Sequence, residues 1–438
     1  MSTTETRARP APSGGVPSAG GATRPVGEAT PPAGVVTSPV REATPPPAPE
    51  AVPRRALRFE SPESPLARLS DEQLQRLGEE LDALHDEVFA DLGERDANYI
   101  RSTIKLHRGL ALGGRALLVG SQRRSLWLLG TAALSIAKIL ENMEIGHNVM
   151  HGQWDWMNDP DINSQSWDWD TASPADAWRH SHNYEHHTFT NIRGKDRDLG
   201  YEIMRIDPHQ RWHPVYLLQP LYNLILMGFF EWGVALHDLN FEAIRAGEKS
   251  KAQAIAELKA IGEKARRQAV KDYLAFPLLS GKSFKRTLAA NFTANIVRNV
   301  WAYSIIFCGH FPDQTYTFSQ AEVDGEGRGG WYVRQLLGSA NIEGGPLFHF
   351  LAGNLSFQVE HHAFPDMPSN RYAEVAPRVQ EICKRYGLPY NTGPLHKQLG
   401  SVHRTILRLA FPGGRPRRKD PVSAGSRGSR GSASSFSF

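Results

Sequence analysis

Eight of the 17 histidines in this chain lie in three short groups whose spacing suits metal binding. Histidines four residues apart share one face of a helix, so their two imidazoles can reach the same point. Adjacent histidines diverge by about 100° on a helix, so two such doublets favour a pair of metal ions. The groups are His147 and His151; His180, His182, His186 and His187; and His361 and His362. The sequence therefore predicts a histidine-rich site for iron, copper or zinc, all of which imidazole binds.

Two familiar zinc sites do not fit these residues. A structural zinc site closes at four ligands and often uses cysteine, whereas this chain has only Cys308 and Cys383. The segment "HNVMH" at residues 147–151 also lacks the glutamate that serves as general base in the HExxH motif of zinc proteases. These features favour a different kind of metal centre.

Composition limits where the site can lie and what it can bind. Residues 1–60 are rich in proline and glycine and poor in large apolar side chains, which predicts a disordered tail. Residues 412–438 form a basic tail rich in glycine and serine, so we expect residues 65–411 to fold as one domain. A net charge of +4 is too small to indicate nucleic-acid binding. Two cysteines fit a reducing compartment.

Four apolar stretches flank the histidine groups, at residues 109–120, 125–140, 215–236 and 288–308. The last two are close to the roughly 20 residues that a helix needs to cross a bilayer. Charged residues interrupt all four stretches, namely Arg115, Lys138, Glu231 and Arg298. Four buried helices of a soluble protein therefore remain an alternative to four membrane spans.

The order of these stretches offers a test of the membrane interpretation. Suppose that residues 109–140 cross the membrane twice as a hairpin and that the last two stretches cross it out and back. All three histidine groups then lie on the same side of the membrane. An odd number of crossings would separate them. The basic connection at residues 237–286 fits badly, because it would lie on the opposite face against the positive-inside tendency. Either a stretch is re-entrant or this connection bends back to the histidine face.

The three groups resemble the histidine boxes of the membrane fatty acid desaturases. The segments "GHNVMHGQWDWMNDP", "WRHSHNYEHHTFTNIRGKDRDLGY" and "GNLSFQVEHHAFPDMPSNRYAE" contain the patterns HxxxH, HxxxHH and QxxHH in this order. The likeness is strongest to the acyl-CoA desaturases of actinobacteria and covers residues 70–410. It implies an all-α integral membrane bundle of about four transmembrane helices with a cytoplasmic, histidine-rich di-iron cap. The activity it implies is O₂-dependent desaturation of a fatty acyl chain.

The resemblance also implies roles for individual residues. The family's ligands correspond to seven box histidines and to a further histidine after the last membrane helix; they are His147, His151, His182, His186, His187, His310, His361 and His362. Four residues are expected to support these ligands without being assigned to the metals: Gln358, Asn354, His180 and Glu360. Carboxylates near the boxes are expected to accept the second ring N–H of a ligand; the candidates are Glu141, Glu144, Glu185 and Glu360.

The expected partners follow from the same resemblance. They are an acyl-CoA or acyl-lipid substrate, the lipids of a bacterial inner membrane, and a separate electron donor such as ferredoxin or a ferredoxin reductase. The chain has no HPGG haem motif, which favours a separate donor. Two alternatives stay open, namely a hydroxylase or ketolase of the same superfamily and a non-catalytic membrane protein that binds or transports metal.

Two further expectations concern the surroundings of the boxes. Residues 70–92 begin with Ser70 and have apolar residues at helical spacing, which predicts an amphipathic helix on the membrane-proximal surface. Five tryptophans lie between the first two boxes, and an interfacial aromatic belt is the simpler prediction for them than the lining of a substrate tunnel. They are Trp154, Trp156, Trp167, Trp169 and Trp178.

Overall fold

The computed structural model describes residues 65–420, and these form an almost entirely helical fold. The helices of the first half of the fold carry or precede the first two histidine groups. They are α1 (Asp71–Ala90), α2 (Glu94–Val119), α3 (Arg124–Leu140), α4 (Asn148–Met150), α5 (Ala175–Trp178) and α6 (His187–Phe189). The prediction of an all-helical fold class is confirmed, apart from two short strands described below.

The second half of the described chain contains the remaining helices and both strands. The helices are α7 (Gln219–Gly228), α8 (Phe230–His237), α9 (Phe241–Ala246), α10 (Lys251–Ala269), α11 (Phe276–Leu279), α12 (Phe284–His310), α13 (Arg328–Gly338), α14 (Pro346–Leu351), α15 (Gln358–Ala363), α16 (Tyr372–Arg385) and α17 (Leu395–Leu409). The strands β1 (Asn341–Glu343) and β2 (Thr392–Pro394) pair in parallel. Three π-helical segments continue α-helices, at Glu141–His147, Arg179–His186 and Val270–Ala275.

Helices α2 and α3 form the predicted hairpin. Their backbones approach closely where Gly114 and Gly130 meet, because a Cβ atom on either residue would lie 3.0–3.1 Å from the other's carbonyl oxygen. At the open end, the Tyr99 hydroxyl donates to Glu144 over 2.9 Å. At the turn, Ser283 donates to the Val119 carbonyl over 2.7 Å. The start of α12 therefore lies beside the turn, and the first histidine box lies at the opposite end of the hairpin.

The third apolar stretch does not run straight through the fold. It breaks at Phe229, between α7 and α8. The first residue of α7, Gln219, donates to the Arg205 carbonyl, and the last residue of α8, His237, contacts Asp198 over 2.9 Å. Between them, the Gly228 carbonyl accepts from Asn299, about three helical turns before the end of α12. The stretch thus enters beside α12 and returns to the histidine end, which agrees with the re-entrant alternative and not with a straight crossing.

The basic connection after α8 runs from the histidine end along the α2–α3 hairpin. Helix α10, the π-helical segment Val270–Ala275 and α11 follow one another without a break. Lys264 donates to the Trp169 carbonyl near the histidine end, whereas Asp272 accepts from Lys138 over 2.8 Å farther along the hairpin. Helix α12 then returns, and His310 is its last residue. This path resolves the misfit of residues 237–286, because the basic helix begins on the histidine side.

Among the described residues, one helix meets the length and hydropathy expected of a membrane span. It is the continuous helix Arg124–Met150, which comprises α3, a π-helical segment and α4. Polar residues inside α12 and the break between α7 and α8 account for the difference from the four predicted spans. A bundle of four spans is taken up below as a proposal.

Helix α1 confirms the predicted amphipathic helix. Ser70 and Gln73 form a reciprocal capping box, and one face of α1 is buried. That face packs on α13 and α16 in the largest apolar core, which includes Leu77, Leu81 and Tyr332. The helix is therefore part of the protein core.

The predicted tails are only partly covered by the described residues. Residues 1–60 and 421–438 lie outside them, so their predicted disorder stays a prediction. Residues 412–420 have no regular secondary structure, and the Lys419 ammonium donates to the Asp313 carbonyl over 2.8 Å; their assignment to the tail stays a prediction. Both cysteines, Cys308 and Cys383, are buried and free.

Candidate metal centre

Five elements of the fold bring the eight predicted ligands together. The helix from Arg124 to Met150 delivers His147 and His151, and the π-helical segment Arg179–His186 delivers His182 and His186. His187 begins α6, His310 ends α12, and α15 holds His361 and His362. Because π-helical turns shift the direction of the side chains that follow, they are common at functional sites. Two such segments immediately precede or contain the first two histidine boxes.

The first cluster combines histidines from all three boxes. One ring nitrogen from each member lies within 4.8 Å of the others; the members are His147, His151, His182 and His361. The Nε2 atoms of His147 and His361 are only 3.4 Å apart. Metal–imidazole bonds are about 2.0–2.1 Å long, so this spacing suits ligands that converge on one ion.

The second cluster lies beside the first and combines one histidine from each of the last two boxes with His310, the last residue of α12. Its members His186, His310 and His362 also place ring nitrogens within 4.8 Å of one another. Each histidine doublet thus turns its side chains apart: His361 belongs to the first cluster and His362 to the second.

His187 lies between the two clusters. The centroid of its ring is 4.6 Å from that of His151 and 4.9 Å from that of His361, both in the first cluster. It is 4.5 Å from the ring centroid of His362 in the second. Both ring nitrogens of His187 are buried without a hydrogen-bond partner. The eight histidines therefore form one continuous site with two centres.

The unpartnered ring nitrogens show that this site fits metal ions. Buried polar atoms in proteins nearly always have a hydrogen-bond partner. Here a run of buried imidazole nitrogens has none: His151 Nε2, His182 Nε2, His186 Nε2, both nitrogens of His187, His310 Nδ1 and His362 Nε2. Metal coordination would satisfy these atoms, and no other group among the described residues does so.

The other ring nitrogen of several ligands is held by the protein. Asp198 lies 3.3 Å from His182 Nδ1, and Asp196 lies 3.0 Å from His186 Nδ1. In the same way, the Tyr372 hydroxyl lies 3.1 Å from His361 Nδ1. The Gln335 side-chain oxygen lies 3.0 Å from His362 Nδ1. Such contacts leave Nε2 free to face a metal and fix the orientation of the ring.

These supporting residues differ from those expected from the sequence. Glu144 accepts from Tyr99, Asn354 and Ser369, and Glu360 accepts from Tyr390 and Asn341. Glu141 accepts from the Asp170 backbone, and Glu185 pairs with Arg197. None of the four is hydrogen-bonded to a predicted ligand. The signal for Asp196 and Asp198 was present in "GKDRDLG", immediately after the second box.

The remaining predicted residues fall at different distances from the centre. Gln358 contacts it directly, since its Nε2 atom is 3.2 Å from His310 Nε2. Asn354 contacts Glu144 and Tyr99 instead of a histidine. His180 is 67% exposed and lies against Glu185 and Tyr184, outside both clusters. The expectation that Asn354 and His180 support the ligands is therefore wrong.

The electrostatics of the centre favour neutral imidazoles, the form that binds metal. Burial lowers the pKa of His187, His361 and His362 well below the usual value, and neighbouring histidines lower it further. Burial also lowers the pKa of His186, but Asp196 and Asp198 outweigh it, so the pKa is raised overall. The two carboxylates thus place negative charge next to the second cluster.

A narrow cavity of about 60 Å³ adjoins the first cluster. His147 and His182 line its inner end, and Trp169, Trp178 and Phe230 form apolar parts of its wall. Trp154, Trp169 and Trp178 are buried, so the aromatic belt predicted for the five tryptophans is wrong for these three. Two of them border the space beside the candidate metals.

A helical fold in which eight imidazoles converge, with carboxylates behind several of them, fits a histidine-ligated metal site. Residues 125–394 match the fatty acid desaturase family. The chain belongs to this family, and it is an enzyme that introduces a double bond into a fatty acyl chain.

Relatives of this chain include desaturases with several substrates. The chain is 49% identical over 350 residues to an NADPH-dependent stearoyl-CoA 9-desaturase of Mycobacterium tuberculosis, covering 79% of this chain and 82% of the relative. It is 25% identical over 278 residues to the sn-1 linoleoyl-lipid 6-desaturase of Synechocystis, covering 62% and 76% respectively. A Delta(5) fatty acid desaturase of Dictyostelium discoideum is 26% identical over 288 residues, which covers 59% of this chain and 58% of the relative.

Proposed function

We propose that the chain is a di-iron, O₂-dependent acyl-CoA desaturase that acts on a long saturated chain such as stearoyl-CoA. The observation that carries this proposal is the pair of adjacent histidine clusters with unpartnered ring nitrogens. The substrate and the position of the new bond, carbon 9, follow from the similarity to the mycobacterial relative. Iron is proposed because the reaction requires O₂ activation, which iron supplies when bound in such a site.

The residues divide into three roles. His147, His151, His182 and His361 would hold one iron, while His186, His310 and His362 would hold the other. His187 would contribute between them, given its contacts to both clusters. Asp196 and Asp198 would keep two ligand rings oriented.

The acyl chain would lie in the cavity beside the first cluster. That cavity is about as large as two water molecules, so a full chain needs additional room. Phe230 and Val234 on the re-entrant helix α8 form one wall, and Met143, Ala302 and Ile306 form another. Movement of α8 side chains would lengthen the cavity along α12. The depth of this space would then set the position of the double bond.

Membrane integration is proposed from the apolar surface of the helices. Leu112 on α2, Leu221 on α7, Leu279 on α11 and Phe292 on α12 are at least half exposed. Large exposed apolar patches mark contacts with membranes or partners. The four crossing segments would be α2, α3, the α10–α11 helix and α12, with the histidines on the cytoplasmic side. A separate protein, such as a ferredoxin or its reductase, would deliver electrons that originate from NADPH.

Expression in a host with saturated lipids, followed by mass spectrometry of its fatty acids, tests the function. The expected product is a monounsaturated chain with the double bond at carbon 9. A hydroxylated or oxidised chain would instead identify the hydroxylase or ketolase alternative. His186→Ala and His361→Ala should abolish the product while the protein remains in the membrane. His180→Ala is the matched control and should retain activity, because His180 lies outside both clusters.

A further inference from the structure

The segment after α17 folds back along that helix. It begins with a close turn, in which a Cβ atom on Gly414 would overlap the Arg408 carbonyl oxygen. It ends at Lys419, whose ammonium donates to the Asp313 carbonyl over 2.8 Å. Asp313 also contacts α17, because its backbone N–H donates to the Ser401 hydroxyl over 3.1 Å. The segment therefore runs from the end of α17 back toward the middle of the same helix.

The contacts that hold this segment leave its arginine side chains at the surface. The Lys419 ammonium lies 5.0 Å from the centre of the Tyr316 ring. The Asp420 backbone N–H donates to the Gln314 side chain over 2.7 Å, and that side chain donates to the Arg418 carbonyl over 3.3 Å. These contacts use one lysine side chain and the backbone of its neighbours. The arginines of the segment are exposed.

Six exposed arginines lie on this part of the fold. Arg404 and Arg408 are one helical turn apart on α17, and three more belong to the segment that folds back. Arg211 precedes Trp212, whose indole N–H donates to the Ala410 carbonyl over 2.9 Å. We call the six arginines the basic surface; they are Arg211, Arg404, Arg408, Arg415, Arg417 and Arg418.

Few carboxylates compensate the charge of the basic surface. Among the described residues, its ion pairs are Arg404 with Asp313 over 3.3 Å and Arg417 with Asp420 over 2.9 Å. The other four arginines form no ion pair with a described carboxylate. The basic surface therefore keeps an excess of four positive charges at neutral pH.

Large apolar side chains are exposed beside the basic surface. Leu407 and Phe411, at the end of α17, are 52% and 54% exposed. The 3₁₀-helical turn Pro214–Leu218, which leads into α7, lies alongside, because the next residue, Gln219, donates to the Ile406 carbonyl. No residue of this turn is buried. Its half-exposed apolar residues are Val215, Leu217 and Leu218.

Arginines interleaved with exposed apolar side chains suit the surface of an anionic membrane. At such a surface, apolar side chains enter the boundary between headgroups and acyl chains, and basic side chains stay at the level of the phosphates. The exposed apolar residues continue along α7 to Leu221 and Leu224. The basic surface thus adjoins the apolar surface that is proposed to contact lipid. An acidic protein would complement the arginines but gives no reason for the exposed leucines.

We propose that the basic surface binds the phosphate headgroups of anionic phospholipids, with Leu407, Phe411 and the turn Pro214–Leu218 placed among the neighbouring acyl chains. This inference rests on the proposed membrane integration and adds a preference for one class of lipid. None of the eight predicted metal ligands belongs to this surface. Lipid binding can therefore be measured separately from catalysis.

Native mass spectrometry of the full-length, metal-loaded protein in neutral detergent measures the preference. Titration with dioleoyl-phosphatidylglycerol and with dioleoyl-phosphatidylcholine gives one dissociation constant for each lipid. The wild type should bind phosphatidylglycerol at least about tenfold more tightly, and added salt should reduce the difference. Arg408→Gln and Arg418→Gln together should raise the dissociation constant for phosphatidylglycerol by about 30-fold and leave that for phosphatidylcholine unchanged.

The matched control removes two arginines from another part of the molecule. Arg245 on α9 and Arg266 on α10 are exposed and lie outside the basic surface. Arg245→Gln and Arg266→Gln together should change both dissociation constants by less than about twofold, because attraction to the lipid falls off within a Debye length. Both paired variants should keep the metal content and unfolding temperature of the wild type in neutral detergent, which verifies that they fold.

A fluorescent label tests the apolar contact. Both native cysteines are buried, so Phe411→Cys provides an exposed thiol for an environment-sensitive fluorophore. In nanodiscs that contain phosphatidylglycerol, the emission of this label should shift to shorter wavelength and be quenched by lipids spin-labelled near the headgroup. Lys195→Cys at the histidine end is the control and should show neither effect.

Several results would overturn the proposal. They are equal affinity of the wild type for the two lipids, an equal loss of affinity in both paired variants, and a label at position 411 that remains in water. Normal lipid binding by the Arg408 and Arg418 variant, combined with loss of turnover only when a protein supplies the electrons, would instead identify an acidic protein as the occupant.

Failure of the proposed function gives a different result. If no unsaturated chain were formed, the activity assignment would be contradicted, whereas lipid binding needs no turnover and would still be measured. Recovery of the protein in the soluble fraction of cells would contradict membrane integration. Cosedimentation with phosphatidylglycerol vesicles would then still decide whether the basic surface binds anionic lipid.

Discussion

At the scale of single residues, the two nitrogens of an imidazole have different roles: one contacts a supporting residue of the protein, and the other faces the metal centre. Where Nδ1 contacts Asp198, Asp196, Tyr372 or Gln335, the opposite nitrogen is left to face the centre. A neutral imidazole has one donor and one acceptor nitrogen, so these partners select the tautomer that can bind metal. They also limit rotation of the ring. The supporting residues should therefore matter almost as much as the ligands.

Asp196→Asn and Asp198→Asn test this division of labour. Each variant should lower metal affinity or activity by about 10- to 100-fold, because an amide is a weaker acceptor for the ligand's N–H. Asp161→Asn is a suitable control, since this exposed residue lies between the first two boxes and its carboxylate contacts no histidine. Metal content and turnover of the purified proteins provide the readout. Full metal content and activity in both variants would contradict the proposal that Asp196 and Asp198 support the metal ligands.

The ligands could be predicted from the sequence, but most of their supporting residues could not. The box histidines follow a spacing that gives each pair a common helix face, and this information is local. Asp196 and Asp198 reach the rings through the loop after α6, where Asn191 has a left-handed backbone with φ of 58°. Tyr372 and Gln335 approach from α16 and α13. Their roles depend on packing between distant segments, which spacing does not reveal.

At the scale of helices, the centre is held by elements that carry no ligand. Helix α13 contributes Gln335, which contacts His362 and also donates to the His187 carbonyl over 3.0 Å. Helix α1 packs on α13 at Gly329, where a Cβ atom would overlap the Leu74 carbonyl oxygen. The close approach of these two helices therefore fixes the position of a residue that supports two boxes.

Gly329→Ala should destabilise this contact. The added methyl group must displace the backbone of α1, which should lower the free energy of unfolding by about 2 kcal/mol. Gly262→Ala in α10 is the matched control, because a Cβ atom there meets no atom within 4 Å. That control should be neutral or stabilising by up to about 1 kcal/mol through helix propensity. Thermal unfolding in detergent measures the stability of both variants. Equal unfolding midpoints for Gly329→Ala and Gly262→Ala would contradict the packing argument.

The path of the helices was the least predictable feature. Hydropathy identified the α2–α3 hairpin and α12, because each contains one or more of the apolar stretches at residues 109–120, 125–140 and 288–308. It misassigned residues 215–236 as a span, although they bend at Phe229 and return. The α10–α11 helix lies in the basic connection at residues 237–286, whose lysines and arginines lower its mean hydropathy. Lys264 and Lys271 of this helix pair with Asp168 and Asp170 from another segment.

At the scale of the whole molecule, one end holds the histidines and the other holds the turn between α2 and α3. Arg123 and Lys282 occur in the two connections at that second end, and Arg124 and Lys285 lie in the first turns of the helices that follow. This arrangement opposes the positive-inside tendency if the histidines face the cytoplasm. The proposed orientation rests instead on delivery of electrons from a cytoplasmic donor, and it requires a direct measurement.

Cysteine labelling can determine the orientation. Both native cysteines are buried, so Lys195→Cys at the histidine end and Gln122→Cys at the hairpin turn would supply the exposed thiols. An impermeant thiol reagent should label Lys195→Cys only in inside-out vesicles and Gln122→Cys only in right-side-out vesicles. The reverse pattern would place the metal centre outside, and labelling of both from one side would exclude the proposed crossings.

The central claim is that eight imidazoles enclose two metal ions, and metal analysis of the purified full-length protein tests it most directly. Elemental analysis combined with anomalous X-ray scattering at the iron edge should give two irons per chain, one in each histidine cluster. Replacing His310 or His362 should remove the second iron before the first. A folded protein that binds a single zinc, or binds iron away from these histidines, would contradict the account.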